Sequence, residues 1–323
     1  MKFFLIILFV LSFSITKAQT CCSGGIPLSN GIGLLSAAKG VLQAGIQYDY
    51  NNLNTLNFEA SKLDDNSRLR ITHSILLNAD YSISDKFSIE GLFTWVNQRR
   101  LITQFGNKNL DVTSGIGDAV ILFKYNFKDI LVENSTLNLG IGTKVPLGSS
   151  TETNSQNITL NADLQPGSNA WDIIYWSLFS KSFDFKPTFN VFTRFIYRQT
   201  GINKSYFGDS TYEFSDEFQL FLGISDQFTA LNSLISPSIT FKYRNAQQDK
   251  VGGFSLDNTG GNWVNIIPSL GINITPNLTY SIKAEIPIYS SVIGTQLTPT
   301  HRFTSGLLLK ITPKTKIINL NKV

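Results

Sequence analysis

Apolar and polar side chains alternate residue by residue along much of this chain, in runs of ten or more. In RLRITHSILLNADYSI, Leu69, Ile71, Ile75, Leu77, Ala79, Tyr81 and Ile83 alternate with Arg68, Arg70, Thr72, Ser74, Asn78, Asp80 and Ser82. A β-strand sends successive side chains to opposite faces, so a period of two gives each run one apolar and one polar face. The runs are long: a tilted strand needs about nine to eleven residues to cross a bilayer, whereas strands of globular proteins average about five or six. The pattern returns in FSIEGLFTWVNQ, DAVILFKYNF, TLNLGIGTKVPLG, PTFNVFTRFIYR and HRFTSGLLLKI. Weaker runs near 40–50, 169–181, 214–225, 234–245, 262–274 and 278–289 bring the expected total to about twelve, an even number as single-chain bacterial barrels have. The fold class is therefore all-β, a transmembrane antiparallel up-and-down β-barrel.

Connector lengths give an independent check, because such barrels turn tightly on one side and carry longer loops on the other. Short connectors are expected near 84–86, 128–134, 182–186, 226–233 and 275–277. Long ones are expected near 51–67, 99–112, 148–168, 200–213, 246–261 and 290–300, several rich in Asn, Gly, Ser and Thr and read as solvated loops. Aromatic residues near strand ends (Tyr48, Tyr50, Tyr125, Phe127, Tyr197, Tyr243, Trp263, Tyr280, Tyr289 and Phe303) suit girdles at the two membrane interfaces. His73 falls on the lipid-facing register, which implies a local bulge, a protein contact or a different register.

Composition narrows the picture. Only 15% of residues are charged and the net charge is +4 without basic blocks, so nucleic acid is not an expected partner. The opening MKFFLIILFVLSFSITKA has the lysine, short apolar run and small terminal residues of a secretory signal peptide, with cleavage expected after Ala18. Beyond it no stretch reaches the about 18 apolar residues of a spanning helix. The expected division is a signal peptide over 1–18, an N-terminal segment over 19–39 that enters the lumen as a plug, a barrel over 40–312 and a tail over 313–323. The expected location is the bacterial outer membrane, with its lipid bilayer and assembly machinery as partners and a small-molecule solute of unknown identity.

The polar register points a set of charged residues inward: Arg68, Arg70, Glu90, Asp118, Lys124, Lys144, Arg194, Arg198, Lys242, Arg244, Lys283, Glu285, Arg302 and Lys310. In a membrane-enclosed interior these must pair or line water. They read either as a structural network filling a narrow barrel or as a weakly anion-favouring constriction. Adjacent Cys21 and Cys22 are the chain's two cysteines. They read as a vicinal disulfide, a thiolate pair for a soft metal, or thiols without a role.

Catalytic motifs are missing: no Gly-x-Ser-x-Gly elbow, HExxH or phosphate loop occurs. The histidines, His73 and His301, lie about ten strands apart along the chain, so neither an enzyme nor a cofactor is expected. Gly115-Ile116-Gly117 and Gly140-Ile141-Gly142 sit in strands, where glycine eases close packing or bending of a barrel wall.

GIGDAVILFKYNF at Gly115–Phe127, NLGIGTKVPLG at Asn138–Gly148, LQPGSNAWD at Leu164–Asp172 and the closing run from Pro268 to Ile311 resemble, in the same order, the outer-membrane transporters grouped under the phenol meta-cleavage degradation pathway. The resemblance spans most of the mature chain. It implies an outer-membrane barrel that passes small, often hydrophobic or aromatic molecules. Three functions compete: a passive channel or transporter, a non-transporting barrel that binds through its loops or serves a structural role, and metal handling through Cys21 and Cys22. A greasy pocket or open path favours the first, and a lumen blocked by charged side chains favours the second.

Overall fold

In the computed structural model, residues 32–34, 38–129 and 132–313 are described. Residues 1–31, which hold the expected signal peptide and both cysteines, lie outside the described residues, as does the tail from 314. Twelve strands form the wall: β1 (Leu42–Phe58), β2 (Arg68–Ser82), β3 (Phe87–Gln104), β4 (Ala119–Lys128), β5 (Ser135–Val145), β6 (Asp172–Phe183), β7 (Lys186–Gln199), β8 (Glu217–Ser225), β9 (Ser233–Ala246), β10 (Gly261–Thr275), β11 (Leu278–Val292) and β12 (Thr295–Ile311). Each pairs antiparallel with its sequence neighbours. The sheet closes where β1 meets β12, from Leu42 opposite Ile311 to Phe58 opposite Thr295. Closure leaves no unpaired edge along the wall, which a backbone in lipid requires.

Adjacent residues show which way the wall faces. Leu76 and Leu122 are fully buried, while Leu77 is 50% and Phe123 57% exposed. The exposed set, including Ile46, Ile75, Phe93, Trp95, Ile141, Ile173, Leu222, Phe241, Ile282 and Ile286, forms an apolar exterior of the kind lipid covers. Ring pairs such as Phe87 with Tyr125, centroids 4.6 Å apart, mark its rim near the short turns.

Several expectations change. The stretches 51–58, 99–104 and 290–300 are strand and not solvated loop: β3 continues to a two-residue tip at Phe105-Gly106 and returns through a segment, Asn107–Ile116, that extends β4. Likewise β11 and β12 join through Ile293-Gly294. Their outward residues there, such as Asn52 and Thr103, are polar because that part of the wall stands above the apolar belt, so the alternation loses its contrast. The connectors 200–213 and 246–261 are not simply solvated either. Ile202–Tyr206, Ser210–Glu213, Lys250–Val251 and Phe254–Ser255 build a small second sheet that buries Tyr206, Tyr212 and Phe214. Trp263 belongs to no girdle. It is buried in the lumen with the Arg244 guanidinium 4.6 Å over its ring, because Gly261, Trp263 and Asn265 share the inward register.

His73 does face outward, in unbroken register with β1 and β3. Its Nδ1 lies 2.6 Å from the Tyr48 hydroxyl, a protein contact that satisfies a polar ring on the apolar face. Barrel closure also corrects the separation of the two histidines. β2 and β12 flank β1, so His73 and His301 sit on either side of Tyr50, with centroids 5.4 Å and 5.9 Å from it.

Candidate functional site

The lumen is occupied by side chains and by two inserted segments. The first is Ile32–Leu34. Its placement rests on β3 and β4, whose inward residues Glu90 and Lys124 face each other. The Gly33 N–H donates to both carboxylate oxygens of Glu90 at 2.9 and 3.1 Å, and the Leu34 N–H donates to one at 3.3 Å. Lys124 Nζ donates to the Leu34 carbonyl at 2.5 Å and pairs with Glu90 at 2.9 Å and Asp80 at 2.7 Å. Two carboxylates and one ammonium, all fully buried, thus share their charge-assisted hydrogen bonds with the backbone they grip. Ile32 joins an apolar cluster of Leu76, Leu92, Leu122, Ile174, Trp176, Phe221 and Ile267 that spans the interior. The Trp176 ring needs the space that Gly140 leaves, since a Cβ there would stand 3.2 Å from the indole, and a Cβ at Gly33 would fall 2.9 Å from its Nε1.

The second inserted segment is the back half of the connector between β5 and β6. Although its tip, 155–158, is exposed, Leu160, Ala162, Leu164 and Gln165 are buried inside the mouth formed by the longer connections, which corrects its reading as a solvated loop. Arg70 pairs with Asp163 at 2.8 Å and also donates to the Asp163 carbonyl. Gln98 Nε2 donates to the carbonyls of Leu164 and Gln165 at 3.2 and 3.3 Å, and Thr113 Oγ1 to that of Leu164 at 2.6 Å. The loop re-enters the wall where Gly148 and Gly167 cross so closely that a Cβ on either would fall within 2.6 Å of the other's backbone. Asp118 ties this crossing, accepting from the Gly148 N–H at 3.1 Å, the Ser168 N–H at 3.0 Å and the Ser168 hydroxyl at 2.7 Å.

Just inside that crossing a belt of alternating charge runs strand by strand. Lys144 on β5 pairs with Asp172 on β6 at 2.8 Å, Asp172 lies 3.9 Å from Arg198 on β7, Arg198 pairs with Glu217 on β8 at 3.3 Å, and Glu217 with Arg244 on β9 at 3.0 Å. Lys242 pairs with Glu285 at 2.8 Å, and Arg302 with Asp49 at 2.9 Å. Arg194 lays its guanidinium 3.9 Å over the Phe221 ring. Lys283 is half-buried on the inward register of β11. Arg68 and Lys310 are exposed at opposite ends of the wall. The reading of the sequence missed Asp49, Asp80, Asp172 and Glu217, the acids that balance its cations. Alternation carries little contrast around Asp172, whose inward neighbours Ile174 and Trp176 are apolar.

Over the mouth, the small sheet rests on Ala162. The Tyr212 hydroxyl donates to Asp249 at 2.6 Å and the Ser215 N–H donates to the same carboxylate at 3.0 Å. Burial nonetheless pushes the Asp249 carboxyl up to about 6 and holds the Tyr212 phenol above its ordinary range. Beneath the sheet lies a cavity of about 530 Å³, with Arg68, Arg70 and Arg100 on one wall.

The fold and lining define a class: a transmembrane-type β-barrel whose lumen carries both a greasy layer and an ion-pair belt. An outer membrane channel of Pseudomonas putida F1, the COG4313 channel, has the same fold, with a TM-score of 0.67 over 88% of this chain and 100% of that one at 13% identity. More distant are the beta domain of the Bordetella autotransporter Brka (TM-score 0.46, 10% identity, 85% and 100% covered) and the NanC porin (0.44, 10%, 84% and 100%). No protein-family model matches the chain, nor does any curated protein. The likeness to the Pseudomonas channel agrees, at the level of fold, with the barrel the ordered motifs imply.

Proposed function

We propose that this chain is exported, inserted into the bacterial outer membrane by the barrel assembly machinery, and conducts small hydrophobic or aromatic molecules. The observation that carries the reading is the inward apolar cluster around Trp176 and Phe221. A porin interior is ordinarily polar, and lipid already receives the apolar residues of the other face, so a buried greasy layer across the lumen suits a greasy solute. Ile32 fills that layer in the resting state, which gives the N-terminal segment the role of a plug. The lumen-facing charges flank the layer, where their mutual pairing keeps water and ions from being the favoured cargo. Likeness to an outer membrane channel supports the same reading.

Planar-bilayer recording tests it. The wild-type barrel is expected to show small unitary steps, and Trp176→Ala, which removes the ring under Gly33, to enlarge them. A correctly folded barrel silent in both forms, together with unchanged uptake of small aromatics by cells lacking it, would overturn transport. A second reading, a non-transporting structural or surface-binding barrel, is favoured by the ion-pair belt from Lys144 to Arg244. That belt fills the outer lumen with side chains already partnered.

A further inference from the structure

The cavity under the small sheet has an unusual wall. β2 and β3 pair with Arg70 directly opposite Arg100, and Arg68 sits two residues along the same inward face. Like charges directly opposite one another on a sheet are destabilising. Two of the three have an acid, Arg70 with Asp163 at 2.8 Å and Arg100 with Asp111 at 2.9 Å. Arg68 reaches the cavity from the exposed rim, with Asp65 of the adjoining loop as its charged neighbour. The same cavity is lined by Tyr206, Phe207, Tyr212, Val251 and Leu256. The buried Tyr206 ring stands 4.7 Å from that of Tyr212 and 4.2 Å from that of the exposed Phe207, forming an apolar and largely aromatic shelf. Of the cavity's own acids, Asp163 is engaged by Arg70, Asp249 is turned to Tyr212 and Ser215, and Asp257 lies on the loop beyond the shelf.

We infer that this cavity is a recognition site for an organic anion with a flat apolar body, an arene carboxylate or its like. A guanidinium fork matches a carboxylate with two parallel N–H···O bonds, and an aromatic shelf in the same cavity takes the ring. The volume lies within the range of pockets that enclose drug-sized ligands. Placed at the outer mouth, above the inserted loop, the site would receive the solute before the greasy layer does. The inference rests on the channel reading and sharpens it, since it assigns the solute a negative end.

Equilibrium dialysis of the full-length barrel in nanodiscs tests it, with naphthalene-2-carboxylate and its neutral counterpart 2-naphthylmethanol as probes and empty nanodiscs as the blank. The wild type is expected to hold the carboxylate and to prefer it over the alcohol. Arg100→Gln and Arg68→Gln should each weaken the carboxylate by about tenfold, the equivalent of losing one charge-assisted hydrogen bond, and leave the alcohol unmoved. Arg68 lies on the exposed rim, so its variant guards against a folding defect in the other. Carboxylate binding unchanged in both variants, or alcohol binding as tight as the acid, overturns the site. A barrel that binds the acid yet stays silent in bilayers would remove the channel and keep the site. One that conducts but holds neither probe would do the reverse.

Discussion

The two inserted segments are held at different depths and by different parts of the chain. Gly33 and Leu34 are gripped deep in the barrel through backbone groups alone, by a carboxylate and an ammonium that are fully buried. Segment 160–168 is gripped near the mouth through the Asp163 side chain as well as through backbone carbonyls, by an arginine that is buried against an acid 31% exposed. Depth sets the cost of letting go. A buried charge stripped of its partner keeps its full desolvation penalty, whereas a charge near water is partly screened. The deep grip therefore suits a part that must stay until displaced, and the shallow grip a part that moves.

The largest effect should come from the deep clasp. Lys124→Met leaves Asp80 and Glu90 buried together and removes the donor to Leu34, at a cost of about 3–5 kcal/mol. It should lower the temperature at which the folded band is lost in heat-modifiability gels, and a transition that does not move would place the stabilisation elsewhere. Asp163→Asn should cost less, about 1–2 kcal/mol, because the amide keeps an acceptor for the buried Arg70, which also retains Gln98 and the carbonyl of residue 163. Its signature is faster proteolytic nicking in the connector between β5 and β6 with the barrel intact. A loss as large as that of Lys124→Met would erase the contrast in depth.

The smallest effect concerns the sheet over the mouth. Burial raises Asp249 from an ordinary 3.8 to about 6, with Asp163 adding to the rise and Tyr212, Ser215 and Arg198 opposing it. The closed form thus binds the proton more tightly than the opened form. Its extra stability is complete below the ordinary value and is lost as pH climbs through about 6. Amide exchange corrected for intrinsic rates should show weaker protection of 202–215 and 249–255 at about pH 7.5 than at about pH 5. Protection that rises with pH would reverse the sign assigned to Asp249.

Which face of each strand meets lipid was legible in the chain because the bilayer imposes period two on every crossing run, as in the stretch from Leu69 to Ile83. The same rule blurred where the wall outgrows the membrane: Asn52 and Thr103 still point outward, yet water on that side favours polar residues. Loop composition hid the inserted segment, since Ile158, Leu160, Ala162 and Leu164 are set among Asn, Ser, Thr and Gln. The partners of the lumen charges were out of reach for another reason. Alternation tells which residues face inward but not which meet across the interior, and the Lys124 clasp depends on Asp80 and on backbone atoms of residues 33 and 34.

His73 and His301 have a consequence for assembly. They belong to strands at opposite ends of the chain that share a neighbour only once the first strand meets the last, and Tyr50 then stands between them. Their imidazole resonances, the only ones the sequence supplies, form a built-in clock for the final stitch of the cylinder. The His301 resonance should shift only when the seam is sewn, whereas His73 already meets Tyr48 and Tyr50 through the pairing of the first two strands.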